Sequence, residues 1–191
     1  EISACLVGSE MCIRDRHGIE HSTMVTAMAR NGVNIGIRVS GLGDRWFTAP
    51  AADVAGAYFP GYSAEDANKD IGDSAIMETG GIGGMAIATA PAIVRFLGAG
   101  KYQDAVNYTN NMYEITLSEQ DQYAMPDMDF RGSPIGIDIL KVVETGISPI
   151  INTAIACKRP GVGMIGAGIS KAPLEMFEEA MVAFGEAHGL Q

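Results

Sequence analysis

Residues Asn31 to Pro50 read NGVNIGIRVSGLGDRWFTAP, and the fold turns on how this stretch is read. From Val33 to Val39 the apolar residues occupy the odd positions, the period-two pattern of a strand with one buried face. Arg38 falls on the other face. Asn31-Gly32 is a hairpin signal, and it makes Ser22 to Arg30 the partner strand, although the methionines and alanines there also suit a short helix. After Val39 the pattern breaks. Ser40, Gly41, Gly43, Asp44 and Arg45 form a polar, glycine-rich loop that runs into Trp46, the single tryptophan of the chain. Sites are commonly built on loops held by a rigid scaffold. The alternative is a surface turn with solvated arginines.

Working outward, Ala49 to Asp73 reads as loop, with a turn at Pro60-Gly61. Asp66, Asp70 and Asp73 resemble a calcium loop only superficially. No glycine stands at the sixth place and no glutamate at the twelfth. His17 and His21 have helical spacing but lack a third ligand, so no metal site is expected. The run ETGGIGG, Glu78 to Gly84, precedes an apolar segment from Met85 to Leu97, within which Pro91 should kink a helix or begin its regular part. Glycines that open a helix expose N–H groups suited to an anion; equally, they permit close packing. Gly81 to Ala86 and Gly161 to Gly166 match the loose dinucleotide fingerprint, but neither sits in a complete strand–helix–strand unit, and no cofactor is expected.

Tyr102 to Leu117 suits an amphipathic helix with Val106, Met112, Tyr113 and Leu117 inward. Ser118 to Gln122 should be exposed, Tyr123 to Phe130 extended, and Arg131 to Pro134 a turn. Gly136 to Gly146 fits helix or strand. Ser148 to Cys157 reads as a buried strand containing the polar pair Asn152 and Thr153. The clearest element is a helix from Pro173 to His188, with Leu174, Phe177, Met181 and Phe184 on its inner face and four glutamates outside.

The 191 residues are enough for one domain with a substantial core. A net charge of −10 argues against nucleic acid and anionic membrane surfaces as partners. No apolar run reaches membrane-spanning length. Residues 1 to 16 do not match the remainder in composition. LVGSEMCIRDR resembles a translated sequencing-adapter read, so 1–16 is expected to be a non-native extension and 17–191 a single domain. Cys157 is then the only native cysteine. It is expected to be a buried structural thiol in a cytoplasmic protein.

Four runs together resemble one family: MARNGVNIGIRVSGLGDRWFTAPA, YFPGYSAEDANKDIGDSAIMET, DFRGSPIGIDILKVVETGISPIINTAIA and GVGMIGAGI. They are similar to the YlbE-like (AllG) family over Gly18 to Gln191, as the C-terminal part of a longer chain. The resemblance implies an α+β fold, a mixed sheet with packed helices, in a fragment of a larger two-part protein. It also implies a subunit of a carbamoyltransferase in allantoin nitrogen catabolism, moving a carbamoyl group between oxalurate and phosphate to give oxamate and carbamoyl phosphate. The implied partners are an FdrA-like subunit and a small anionic substrate, in an oligomer. Under this expectation Arg38 and Arg45 clamp anions, with Asp73 and Glu78 as further catalytic candidates. Ser40, Gly41, Trp46, Gly81, Gly83, Gly84 and Asn152 would line the substrate site. The alternative is a non-catalytic domain that only assembles with the FdrA-like subunit.

Overall fold

The structure, a computed structural model, describes residues 16–72, 74–96 and 101–189. Strands β1 (Val25–Asn31) and β2 (Asn34–Val39) form the expected antiparallel hairpin, with Met28 opposite Ile37 and Arg30 opposite Ile35. The Asn31 side-chain carbonyl accepts hydrogen bonds from the backbone N–H groups of Val33 (3.0 Å) and Asn34 (2.8 Å), and Gly32 takes the left-handed conformation at φ 84°. Ile35, Ile37 and Val39 are buried as their alternation requires. Val33 is 70% exposed, because it belongs to the turn and not to the strand.

The segment expected to be loop after residue 49 is more regular than its sequence suggests. Trp46–Pro50 is strand β3, paired with β2 so that Phe47 lies beside Ile37 and Ala49 beside Ile35. Pro50 is tolerated because β3 is an edge strand. Strands β4 (Ala55–Tyr58) and β5 (Ile71–Gly72) follow. Helix α1 covers Ala75–Thr79, a 3-10 segment covers Gly83–Thr89, and helix α2 covers Pro91–Phe96, so Pro91 opens the regular part of the helix. Helix α3 (Tyr102–Glu114) buries Ala105, Thr109 and Met112. Leu117, expected on its inner face, is instead 53% exposed, because the chain has already entered strand β6 (Thr116–Met125).

Strand β7 (Arg131–Ile137) pairs with β6 and contains the Arg131–Pro134 stretch expected to be a turn. Pro134 is accommodated because this sheet has only two strands. The ambiguous segment 136–146 resolves into helix α4 (Ile139–Thr145), capped by the Asp138 carboxylate on the Leu140 N–H and ended by Gly146. Strands β8 (Ile150–Ala156) and β9 (Met164–Lys171) form a hairpin, and helix α5 (Glu175–Ala187) closes the described chain.

The result is an α+β fold. Among the described residues the strands form three sheets, ordered β3-β2-β1-β5, β4-β9-β8 and β6-β7, and every pairing within them is antiparallel. Gly166, one of the fingerprint glycines, sits in β9, where a Cβ would come within 2.3 Å of the Ala57 carbonyl oxygen of β4. Its absent side chain permits the β4–β9 pairing. Helix α5 lays Phe177 and Phe184 into the main core, which also holds Ile37, Val39 and Phe47, on the inner face of the first sheet.

One polar cluster crosses this interior. Arg30, opposite Ile35, points inward. Its Nε lies 2.7 Å from Asp70 Oδ1 as an ion pair, and its Nη1 donates to the Gly72 carbonyl at 3.1 Å. Its Nη2 donates to Ser74 Oγ and Thr153 Oγ1, both at 2.7 Å. Asp70 in turn accepts from Thr153 Oγ1 (3.2 Å) and Ser170 Oγ (2.5 Å). The cluster joins β1 to β8 and β9. Removing one member of a buried pair leaves an uncompensated charge, which typically costs about 3–5 kcal/mol. Asp70→Ala should therefore destabilise the protein by about that amount in chemical denaturation, and a loss below about 1 kcal/mol, the scale of an exposed pair, would show that the cluster does not hold the sheets together.

Candidate functional site

Two features meet at the junction of the first and second sheets: a buried carboxyl and an open cleft. Glu78 lies on α1 and is almost fully buried. Its Oε1 accepts from the backbone N–H of Gly84 (2.9 Å) and of Asn152 (3.1 Å), while Oε2 has no hydrogen-bond partner among the described residues. Burial raises its pKa to about 7, against the lowering effects of the two N–H donors and of the nearby Arg30 charge. The glycine run is built around this carboxyl. A Cβ on Gly83 would lie 2.2 Å from Glu78 Oε1, and one on Gly84 would lie 2.0 Å from the Ile150 carbonyl oxygen. Gly83 also has φ 67°. The Gly84 N–H expected to meet a phosphate thus holds the chain's own carboxyl group. Gly81 packs against Ser133 and Pro134 of β7.

The cleft, about 500 Å³, lies against the arginine cluster. Ser74, Asn152 and Thr153 supply its polar lining, and Ile71, Ile93 and Phe96 its apolar walls. Ser74 and Thr153 accept from Arg30, so each keeps its own O–H to donate elsewhere. Thr153 uses its proton within the protein, on Asp70 or the Ala154 carbonyl. The arrangement combines neutral donors with apolar walls, suited to a small polar molecule. Asp73, the remaining acidic candidate, lies outside the described residues, as do residues 1–15.

The residues of the Ser40–Trp46 loop do not converge. Arg38 pairs with Asp44, and its guanidinium carbon lies 5.9 Å from the centre of the Trp46 ring. Arg45 lies 4.6 Å from the Phe47 ring centre, in a groove with Glu175, Glu178, Glu179 and Glu186 of α5. Trp46 and Phe47 point to opposite faces of β3, so the two arginines are not arranged to grip one anion. Ser40 is buried, donating to the Arg16 carbonyl and accepting from the Ile19 N–H at 3.1 Å. The space at Gly41 is filled by the Ser22 backbone, whose carbonyl oxygen a Cβ would approach to 2.8 Å. Cys157 is half-buried. Among the described residues no three His, Cys, Asp or Glu side chains are grouped to hold a metal.

Arg30, Asp70, Ser74 and Thr153 were not among the sequence candidates. The hairpin contained the signal for Arg30: an Asn31-Gly32 turn sets Arg30 opposite Val33, on the face that Ile35 and Ile37 share, and the wider loop observed, with Arg30 opposite Ile35, keeps it on that face. A buried arginine requires an acid, and Asp70 is the one that pairs with it directly.

Residues 3–74 match the sequence profile of a family described as oxamate carbamoyltransferase subunit AllG. Over 172 residues, 90% of this chain, it is 52% identical to oxamate carbamoyltransferase subunit AllG of Escherichia coli K12. The chain is a partial-length homologue of the AllG/YahG family. It is also 55% identical over 174 residues to the uncharacterized protein YahG of the same organism. A crystal structure of a conserved protein of unknown function from Enterococcus faecalis V583 superposes with a TM-score of 0.92, at 51% identity over 96% of this chain. The chain spans 41% of AllG, 37% of YahG and 44% of the E. faecalis protein. No helix among the described residues is long and apolar enough to cross a membrane.

The titration of Glu78 sets an expected pH dependence. Its folded-state pKa of about 7 lies above the ordinary value of 4.5, so between these values the folded state binds more protons than the unfolded state. Stability should be greatest below about pH 4.5 as far as this group is concerned, fall by about 3 kcal/mol as pH rises to about 7, and then level off. Glu78→Gln should remove this slope in denaturation curves taken across the window; an unchanged slope would mean that another group carries it.

Proposed function

We propose that this chain is part of a carbamoyltransferase subunit that acts on small anions, oxamate and oxalurate with carbamoyl phosphate, in allantoin nitrogen catabolism. It works in the cytoplasm together with an FdrA-like subunit. The observation that supports this most is 52% identity to AllG along nine-tenths of the chain. The cleft beside Arg30 is compatible with such substrates. Carbamoyl transfer gains from donors aimed at a carbonyl oxygen and at a departing phosphate more than from a protein nucleophile, and Ser74 and Asn152 offer neutral donors at one wall. We assign the substrate to this cleft in preference to the Arg38–Arg45 loop, because those arginines diverge. The competing reading, a domain that only binds the FdrA-like subunit, is favoured by Phe96, which stands 56% exposed at the cleft edge.

The test is phosphate-dependent cleavage of oxalurate by a full-length AllG-family protein with its FdrA-like partner, carrying substitutions at positions matching this chain. Asn152→Ala should reduce kcat/KM by roughly tenfold, the loss of about 1.4 kcal/mol. Arg38→Lys and Arg45→Lys should leave it within about twofold, as surface substitutions do. The reverse outcome would return the anion site to the loop. Full turnover in all three variants, with the partner still bound, would favour the assembly role.

A further inference from the structure

The first sheet has two faces of very different character. Its inner face carries Met28, Ile35, Ile37, Val39 and Phe47, all buried. The strand registers place Ala29, Gly36 and Thr48 side by side on the other face, with Arg38 beside Trp46. Here the small residues form the floor of a depression of about 260 Å³, rimmed by Trp46 and by Asn31 and Asn34. The close contact of Gly36 with Trp46 and Thr48 creates the hollow: a Cβ there would lie 3.1 Å from the indole and 3.0 Å from the Thr48 methyl. Trp46 is 44% exposed.

This face lacks the charge of the rest of the molecule. The chain carries −10 overall, yet no carboxylate lines the depression, and at its border Arg38 is neutralised by Asp44. A small-residue floor, a half-exposed tryptophan and an uncharged amide rim have the anatomy of an interface centre. An antiparallel sheet can leave one face to water, and that face then carries polar side chains; here it presents a tryptophan over small residues instead. The relatives have chain enough for a cover: more than half of AllG, YahG and the E. faecalis protein lies outside the part that matches this chain.

We infer that the outer face of the β1–β2–β3 sheet is the seat of the remaining part of the full-length family chain, with Trp46 as the central anchor. The occupant is intramolecular. Packing within one polypeptide avoids the translational and rotational cost of association that a second copy or a separate subunit must overcome. The inference is independent of the transferase reading, since it uses only the sheet and the relative lengths.

Hydroxyl-radical footprinting tests it on two proteins as they exist, this chain and full-length E. coli AllG. Labelling is read at Ala29–Gly36 and Trp46–Thr48 here and at the aligned positions of AllG. In AllG these positions should be protected roughly fivefold or more, as for a side chain that becomes a desolvated anchor. The aligned positions of the outer face of α5, around Val182, serve as the exposed reference. Protection should not vary with AllG concentration and should not require an FdrA-like subunit. Thr48→Arg should leave the melting temperature of this chain unchanged, while the matching arginine should lower that of AllG. Equal labelling in both proteins overturns the inference. So does protection that appears only at high concentration, which identifies a second copy, or only on adding the FdrA-like subunit.

Discussion

The Arg30–Asp70 pair is the constraint around which the described structure is arranged. An ionised guanidinium inside a protein must recover in hydrogen bonds what it loses in hydration. Arg30 recovers it from four places: Asp70, the Gly72 carbonyl, Ser74 and Thr153. These partners come from the segment leading into α1 and from the second sheet. The first hairpin therefore cannot be buried unless those segments are in position. Apolar contacts would permit many neighbouring arrangements of the two sheets; the directional bonds to one planar cation select among them.

Glu78 follows from the same packing in the opposite sense. It is enclosed by glycines that allow β8 and its own loop to approach, and it finds donors for only one oxygen. A carboxyl so placed favours its neutral form. Two acids near one arginine thus behave differently: Asp70 makes direct contact with Arg30, whereas Glu78 feels that charge only as a secondary influence beneath its burial. The polar side of the adjacent cleft is consequently dominated by neutral hydroxyl and amide groups.

Much of the architecture was legible in the sequence. The Asn31-Gly32 turn, the alternation from Ile35 to Val39, the strand around Asn152 and the final helix all have strong local signals, and all are present. Strand β3 was concealed by its brevity and by a terminal proline. Strand β7 was concealed by glycine and proline residues that ordinarily signal turns and are tolerated here because the sheet is only two strands wide. At the site, local reading selected conspicuous residues: two arginines near glycines, and a glycine run suited to anions. The first set diverges, and the second is occupied by Glu78. The residues that do meet, Arg30, Asp70, Thr153 and Ser170, are spread along the chain, and only tertiary pairing brings them together.

That spread has a kinetic consequence. The hydrogen bond from Arg30 to Thr153 spans 123 positions, and that from Ser170 to Asp70 spans 100. Contacts so distant in sequence form late, because the loop-closure entropy must be met before they contribute anything. The hairpin precedes its partners along the chain, and Arg30 cannot acquire its full set until β8 has been made. Until β8 follows, the inward-facing charge of Arg30 lacks its Thr153 acceptor. The strands that come late in the chain are therefore the ones that complete the polar shell around the arginine of the first.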